Sequence, residues 1–362
     1  MTTGTRATFG LIGTGWRADF FLRLAAALPG RFEVVAVSTR DPAKGAAVES
    51  AWSVPTVRSA DELAGRYRPD FVVASVNRVA TPSVVAACAA RGVPVLAETP
   101  PGRDLPAMRE MWSRLPEPHL VQVAEQYPYL PKMRVYRALI EAGRLGEVTA
   151  AQVSWTHGYH AVAMLRALLG AGFRDATITA RAFSTPVTES LGREGWPEHP
   201  GIRSATRTIG VLDFDGLAGV YDFTDGQWFH PLMGRRLTVR GTVGEIIDDQ
   251  LVTLLDARTP VRSALVRRQT GLDGDLEGFD LDTIAVGSEV LYRNPFPGAR
   301  LSDEEIAIAS VLDRMARWVR GEAAPPYPLA EACQDHLLAL AIAESAATQQ
   351  AIHVGPEAWS KA

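Results

Sequence analysis

The stretch Thr8-Phe9-Gly10-Leu11-Ile12-Gly13-Thr14-Gly15-Trp16-Arg17-Ala18 decides the fold. Thr8–Ile12 is an apolar run of strand length, and the residues after it open a helix with Phe21, Leu24, Ala25 and Leu28 on one face, stopped by Pro29-Gly30. Between them stands Gly-x-Gly-x-x-Ala. In a strand–turn–helix context, Gly13 permits the tight turn and Gly15 lets a pyrophosphate approach the backbone. Ala18 is small enough for helix and strand to pack closely, and the helix amino terminus offers amides and partial positive charge.

Working outward, short β-branched runs alternate with helical patterns through the first 125 residues. Strands are expected over Glu33–Val37, Phe71–Ser75, Val93–Glu98 and His119–Ala124, with a capping box at Ser59 and Glu62 and a helix from Thr81 to Gly92. This is the pattern of a doubly wound parallel sheet. After residue 125 the character changes. A helix is expected over Pro131–Ala142, then longer alternating strands over Val148–Trp155, Ala176–Phe183, Thr206–Phe214, Ala218–Phe223, Leu237–Arg240 and Val252–Leu255. Two helices close the chain, one behind a capping box at Ser302–Glu305 and one over Ala330–Gln349. The fold expected is α/β: an amino-terminal Rossmann-type domain, residues 1–125, and a carboxy-terminal α+β domain, 126–362, with a large, mostly antiparallel open sheet.

Composition narrows the function classes. The 362 residues are 47% hydrophobic and 22% charged, which excludes a disordered chain, and no run of apolar residues is long enough to span a membrane. A net charge of −4 argues against a nucleic-acid or membrane-surface binder. Met1–Phe9 leads straight into a strand without a signal-like apolar core, and Cys88 and Cys333 lie far apart in apolar helical patterns. A cytoplasmic, reducing location is expected, with both thiols in the core. Thirty-four of the 37 basic residues are arginine; the lysines are Lys44, Lys132 and Lys361.

The tip of the second strand bears on cofactor choice. A ribose 2′-hydroxyl is met by an acidic residue there, but this chain has Ser38-Thr39-Arg40, and Arg40 can pair with a 2′-phosphate. Asp41-Pro42 reads as a helix cap. NADP(H) is the expected cofactor and NAD(H) the alternative, with phosphates at Gly13, Gly15, Trp16 and Arg17 and the adenosine ribose at Ser38, Thr39 and Arg40.

Gly10–Ala18, Asp70–Asn77, Val95–Pro100 and Ile140–Val148, followed by Leu237–Glu245, resemble the Gfo/Idh/MocA oxidoreductases in order and spacing. The resemblance implies a nicotinamide cofactor, a sugar or sugar-like substrate turned over at a ring carbon, and a homodimer or homotetramer built through the open sheet. It also implies that Ser75, Val76, Asn77, Glu98, Thr99 and Gln126 flank the nicotinamide half. The family's Glu-Lys-Pro stands here as Glu98-Thr99-Pro100, without the cation. Its Asp-x-Gly-x-His-x-x-Asp stands as Thr156-His157-Gly158-Tyr159-His160-Ala161-Val162-Ala163, so Gly158 and His160 are kept and both carboxylates are lost. The segment between Val153 and this motif is short.

Three readings follow. In the first, the enzyme is active with a rearranged acid/base set: His160, with Tyr159 and Thr99 beside it and Lys132 partly replacing the missing cation. Tyr127, Trp155, His157 and His160 would then face the substrate. In the second, the fold binds NADP(H) or a sugar without turnover. In the third, it reduces an imine or flatter ketone. A metal shared by His157 and His160 is not expected, since nothing nearby completes the ligand set. His119, His199, His230, His336 and His353 are given no role, and Asp335 is expected at the surface or as a cap.

Overall fold

The computed structural model describes residues 6–116, 120–192, 194–271 and 278–361. The amino-terminal half runs β1 (Ala7–Ile12), α1 (Trp16–Ala27), β2 (Phe32–Ser38), α2 (Pro42–Trp52), β3 (Thr56–Val57), α3 (Ala60–Tyr67), β4 (Phe71–Ala74), α4 (Thr81–Ala89), β5 (Val95–Ala97), α5 (Leu105–Arg114) and β6 (Val121–Val123). The sheet order is β3-β2-β1-β4-β5-β6, and every neighbouring pair is parallel. Helices cover both faces, so Phe71–Ala74 is buried at every residue and reads as a continuous apolar run. The last strand was expected over His119–Ala124; His119 lies outside the described residues.

The second half runs α6 (Pro131–Glu141), β7 (Val148–Ser154), α7 (Gly158–Leu169), β8 (Ala176–Thr188), β9 (Ile202–Asp213), β10 (Ala218–Thr224), β11 (Arg236–Gly241), β12 (Gly244–Ile247), β13 (Gln250–Asp256), β14 (Thr259–Thr270), β15 (Asp280–Val286), β16 (Glu289–Arg293), α8 (Asp303–Val319), α9 (Leu329–Thr348) and β17 (Ile352–Val354). Eleven strands form one sheet, antiparallel throughout except for the parallel contact of β7 with β10. The two halves have the two-domain fold expected from the sequence.

Two of the segments quoted for the resemblance meet in space. Thr242 N donates to Glu147 O and Val243 N to Leu145 O, both at 2.9 Å. A Cβ at Gly241 would lie 2.3 Å from Leu145 O, so only glycine admits this approach.

The capping box at Ser302–Glu305 forms in full. At Ser59 only half of it does. Ser59 Oγ accepts from Glu62 N at 3.1 Å, but the Glu62 carboxylate takes Arg58 N at 3.0 Å, one residue before the cap.

The chain returns to its first sheet at the end. Val123 N donates to Tyr327 O at 2.8 Å, and α8 packs against β1 and β4. Trp359, fully buried, stacks edge-on to Trp112 of α5. The expected boundary after residue 125 falls between β6 and the one-turn 3-10 helix Tyr127–Tyr129. On the large sheet, α7 and α9 cover one face. Cys88 and Cys333 are both buried, free thiols.

Candidate active site

The carboxyl ends of the parallel strands converge on a crevice between the two sheets, where ligands bind in open α/β folds. Gly13 sits at φ +111°, and a Cβ there would approach Ser75 O to 2.1 Å. Gly15 is the N-cap of α1 with no side chain capping the helix, and a Cβ on it would meet nothing within 4 Å. A phosphate approaching this turn therefore meets no side chain at Gly15, as a phosphate cradle requires. Trp16 is 63% exposed beside this turn, edge-on to Phe20 at 6.4 Å. A cleft of about 650 Å³ opens alongside, lined by Thr14, Trp16, Arg23 and Lys44 among others.

Arg17 points elsewhere than toward a phosphate. Its Nε donates to Glu98 Oε1 at 3.1 Å and its Nη1 to Glu304 Oε1 at 3.2 Å. Gln126 Nε2 donates to the same Glu304 oxygen at 3.3 Å, while its buried Oε1 has no partner among the described residues. A buried amide oxygen left open in a crevice is an acceptor for a ligand donor. Asn77 Oδ1 is occupied in the turn before α4, accepting from Val79 N and Ala80 N at 3.1 and 3.0 Å. Ser75 is buried, with its backbone N–H paired to Ile12 O, and Val76 follows half-buried.

At the tip of β2, Ser38 and Thr39 are buried and Arg40 is exposed. Asp41 caps α2, accepting from Ala43 N and Lys44 N, as its sequence position predicts. Thr39 Oγ1 accepts from Asp41 N at 3.3 Å, and Arg58 Nη1 reaches Thr39 O at 3.4 Å. Arg58 is a second cation at this tip that sequence reasoning missed; it comes from β3's far end, 18 residues later in the chain.

The other wall carries the titratable groups. His160 lies in the first turn of α7, and its Nδ1 is 2.7 Å from Glu125 Oε2. Glu125 follows β6 directly and is 2% exposed; Tyr127 N donates to its other oxygen at 3.1 Å. Burial disfavours the charge on each partner, pushing the Glu125 carboxyl up to about 8 and the His160 imidazolium down to about 3. Both shifts favour the uncharged pair, a carboxylic acid beside a neutral imidazole; in that form the carboxyl donates to Nδ1 and leaves the ring proton on Nε2. Glu125 was not among the expected site residues. The available signal was a carboxylate immediately beyond the carboxyl end of a buried strand.

Aromatic groups surround this pair. The rings of Tyr159 and Tyr127 lie 4.4 and 4.6 Å from His160. The Tyr159 phenol is hydrogen-bonded to Thr99, which links α7 to the position where the family places its cation. Thr156, at a lost carboxylate position, is fully buried: it donates to the Tyr127 hydroxyl at 2.8 Å and accepts from Trp228 Nε1 at 3.3 Å. His157 sits edge-on to Trp228 at 4.8 Å. Only residues 155–157 separate β7 from α7, in keeping with the short segment read from the sequence.

Lys132 and Trp155 form a cluster of their own. Lys132 Nζ pairs with Asp249 Oδ1 at 2.8 Å, and both it and Arg235 lie over the Trp155 ring. His336, given no role, is buried with its ring 5.5 Å from Tyr159. One expectation needs correction. Asp335 is not at the surface: it is 2% exposed and accepts from Arg166 Nη1 at 2.6 Å and from the Tyr327 hydroxyl at 2.5 Å. Both stand on α9, which the fold inserts between α7 and the first sheet.

Fold and crevice together define a two-domain protein of the dinucleotide-binding class. Residues 7–126 match the Gfo/Idh/MocA model, described as an oxidoreductase family with an NAD-binding Rossmann fold. The amino-terminal domain belongs to that family, and the resemblance drawn from Gly10–Ala18 onward is borne out. No curated protein sequence matches the chain. Similar solved structures include an oxidoreductase from Agrobacterium radiobacter in complex with NAD+, L-tartaric acid and magnesium. It is 17% identical over 96% of this chain and 98% of its own, with a TM-score of 0.68. A myo-inositol dehydrogenase from Corynebacterium glutamicum is 16% identical over 97% and 100%, at 0.66. The WlbA dehydrogenase from Bordetella pertussis, in complex with NADH and UDP-GlcNAcA, is 17% identical over 97% and 100%, at 0.63. At these identities the likeness is one of fold.

Proposed function

We propose that the protein is an NADP(H)-dependent oxidoreductase that moves a hydride to or from a ring carbon of a sugar or sugar-like alcohol or ketone, with His160 as the acid/base and Glu125 as its proton partner. The observation that carries this reading is the buried 2.7 Å contact between His160 Nδ1 and Glu125 Oε2 at the carboxyl end of the parallel sheet. The crevice fits a dinucleotide: Gly15 puts no side chain between a phosphate and the start of α1, Gln126 Oε1 is an unfilled acceptor among the described residues, and the Asp41 carboxylate at the tip of β2 is engaged as the cap of α2. Arg40 and Arg58 at that tip support NADP(H) over NAD(H). When bound, the nicotinamide supplies the hydride acceptor or donor.

The chain's own residues manage the proton. In the reducing direction His160 Nε2–H gives its proton to the carbonyl oxygen as the carbon takes up hydride, and the Glu125 carboxyl proton moves to Nδ1. The imidazole ends neutral, and the negative charge lies on Glu125. In the oxidising direction the same path runs backwards and needs Glu125 ionised. The uncharged pair at neutral pH therefore favours reduction. Carbohydrate-like substrates are supported by the inositol and nucleotide-sugar names among the similar structures and by the Tyr127 and His157 rings beside His160.

A specific observation favours a rival reading, cofactor or sugar binding without turnover. Thr99 stands where the family has its cation, and the hydroxyl at the lost carboxylate, Thr156, is committed to Tyr127. Titration of the pure protein with NADPH and NADH by nucleotide fluorescence separates the two, when followed by a sugar and keto-sugar panel read at the nicotinamide absorbance. Substrate-dependent oxidation or reduction that disappears in His160→Ala supports the proposal. Saturable binding with no turnover on the whole panel favours the rival, and no binding of either nucleotide overturns both.

A further inference from the structure

At the end of the first sheet opposite the Gly13 turn, a cleft of about 360 Å³ opens between α6, the end of β16 and α8. Its floor includes the buried ring of Phe296, which packs on Phe32 at the start of β2. Five guanidinium groups line it: Arg134 and Arg137 from α6, Arg293 from β16, and Arg314 and Arg317 from α8. The carboxylates beside them are already engaged, Glu141 with Arg137 at 3.3 Å and Asp313 with Arg31 at 2.9 Å. Arg314 donates its Nε to Ala324 O. Arg134, Arg293 and Arg317 make no ion pair among the described residues. Arg314, Arg134 and Arg137 all lie close enough to act on one phenol in the same cleft, that of Tyr129.

The chain as a whole is acidic, at −4, yet this one concavity gathers five cations against two spent carboxylates. Like charges brought together by three separate elements repel unless an anion sits among them. The planar forks of arginine match the oxygens of phosphate two at a time, and the volume suits a small ligand. We infer that this cleft is a second binding site, for a small multivalent oxyanion of the phosphate or diphosphate class, separate from the dinucleotide crevice.

Isothermal titration of the full chain with inorganic pyrophosphate at fixed ionic strength tests it. Three proteins are compared: the parent, Arg134→Ala/Arg293→Ala/Arg317→Ala, and Gly15→Ala, which perturbs the other phosphate cradle. The expected result is saturable binding by the parent, about tenfold or greater weakening in the triple variant, and unchanged binding in Gly15→Ala. If the triple variant melts early, each single arginine substitution weakens binding by about threefold and serves instead. The site is refuted by any of three results: no saturable heat in the parent, full affinity in the arginine variants, or loss in Gly15→Ala alone, which would place the anion at the glycine turn.

Discussion

Glu125 and His160 make the most specific prediction at the scale of single residues. Burial raises the Glu125 carboxyl from its ordinary 4.5 to about 8, so the acid form persists through neutrality. Reduction should be flat below this value and fall as the pH rises through about 8, while oxidation should rise over the same range. Glu125→Gln keeps a hydrogen bond to Nδ1 but holds no acidic proton. It should slow reduction roughly tenfold or more and abolish the break near pH 8 in a pH–rate profile. The linkage sign is also fixed. With its folded value above its unfolded one, Glu125 retains a proton that the unfolded chain gives up between about 4.5 and 8. It therefore subtracts stability as the pH rises through that window. His160→Ala should cost roughly a hundred- to ten-thousand-fold in turnover at unchanged nucleotide affinity. A smaller loss would assign the proton to Tyr159.

At the scale of elements, the proposed cofactor site divides between the β1–α1 and β2–α2 junctions. Gly13→Ala forces a side chain into φ +111° and onto Ser75 O, so it should lower the melting temperature as well as nucleotide binding. Gly15→Ala meets open space, so it should leave the melting temperature nearly unchanged while weakening both nucleotides. Arg40→Ala and Arg58→Ala should weaken NADPH by about tenfold or more and leave NADH untouched in a fluorescence titration. Equal losses for both nucleotides would remove the 2′-phosphate assignment. The helix α7 carries His160, yet nothing in the residue pattern marked this stretch as a helix. Ala161–Leu165 are buried on all sides between α9 and the large sheet, so the amphipathic period that marks a surface helix is missing.

At the scale of the whole molecule, Arg166 joins α7 to α9. It is 4% exposed and pairs with Asp335 and Glu331 while donating twice to Gly172 O. Removing one partner of a buried pair strands the other charge, so Arg166→Ala should destabilise the fold by roughly 3–5 kcal/mol in denaturant unfolding. The large sheet turns a second face outward along the register Thr179–Val211–Val220–Gln152–Thr238–Ile247. Val211 and Ile247 are 43% and 44% exposed on it. An apolar face of this extent favours self-association, so light scattering should find a dimer or tetramer that Val211→Asp with Ile247→Asp reduces to monomer. A monomeric parent would contradict this.

The parallel sheet, the glycine turn, the caps at Asp41 and Ser302 and the core placement of both cysteines were legible from residue order alone. Each rests on local chemistry: a short apolar run between turn signals, a residue that tolerates positive φ, a side chain that reaches its own helix amides. The partners of those residues were not legible. Glu125 and His160 are 35 positions apart, Arg17 and Glu304 are 287 apart, and Arg166 and Asp335 are 169 apart. Only the packing of α7 on α9, and of α8 and α9 against the first sheet, brings them within hydrogen-bond distance. The strand β14 escaped for the opposite reason, since Thr259–Thr270 is mostly exposed and arginine-rich and shows no alternation. Sequence thus determined which elements form and where a dinucleotide can approach. Tertiary structure decided which carboxylate holds the histidine, because burial and proximity, the two causes of its shifted proton, exist only once the chain has closed on itself.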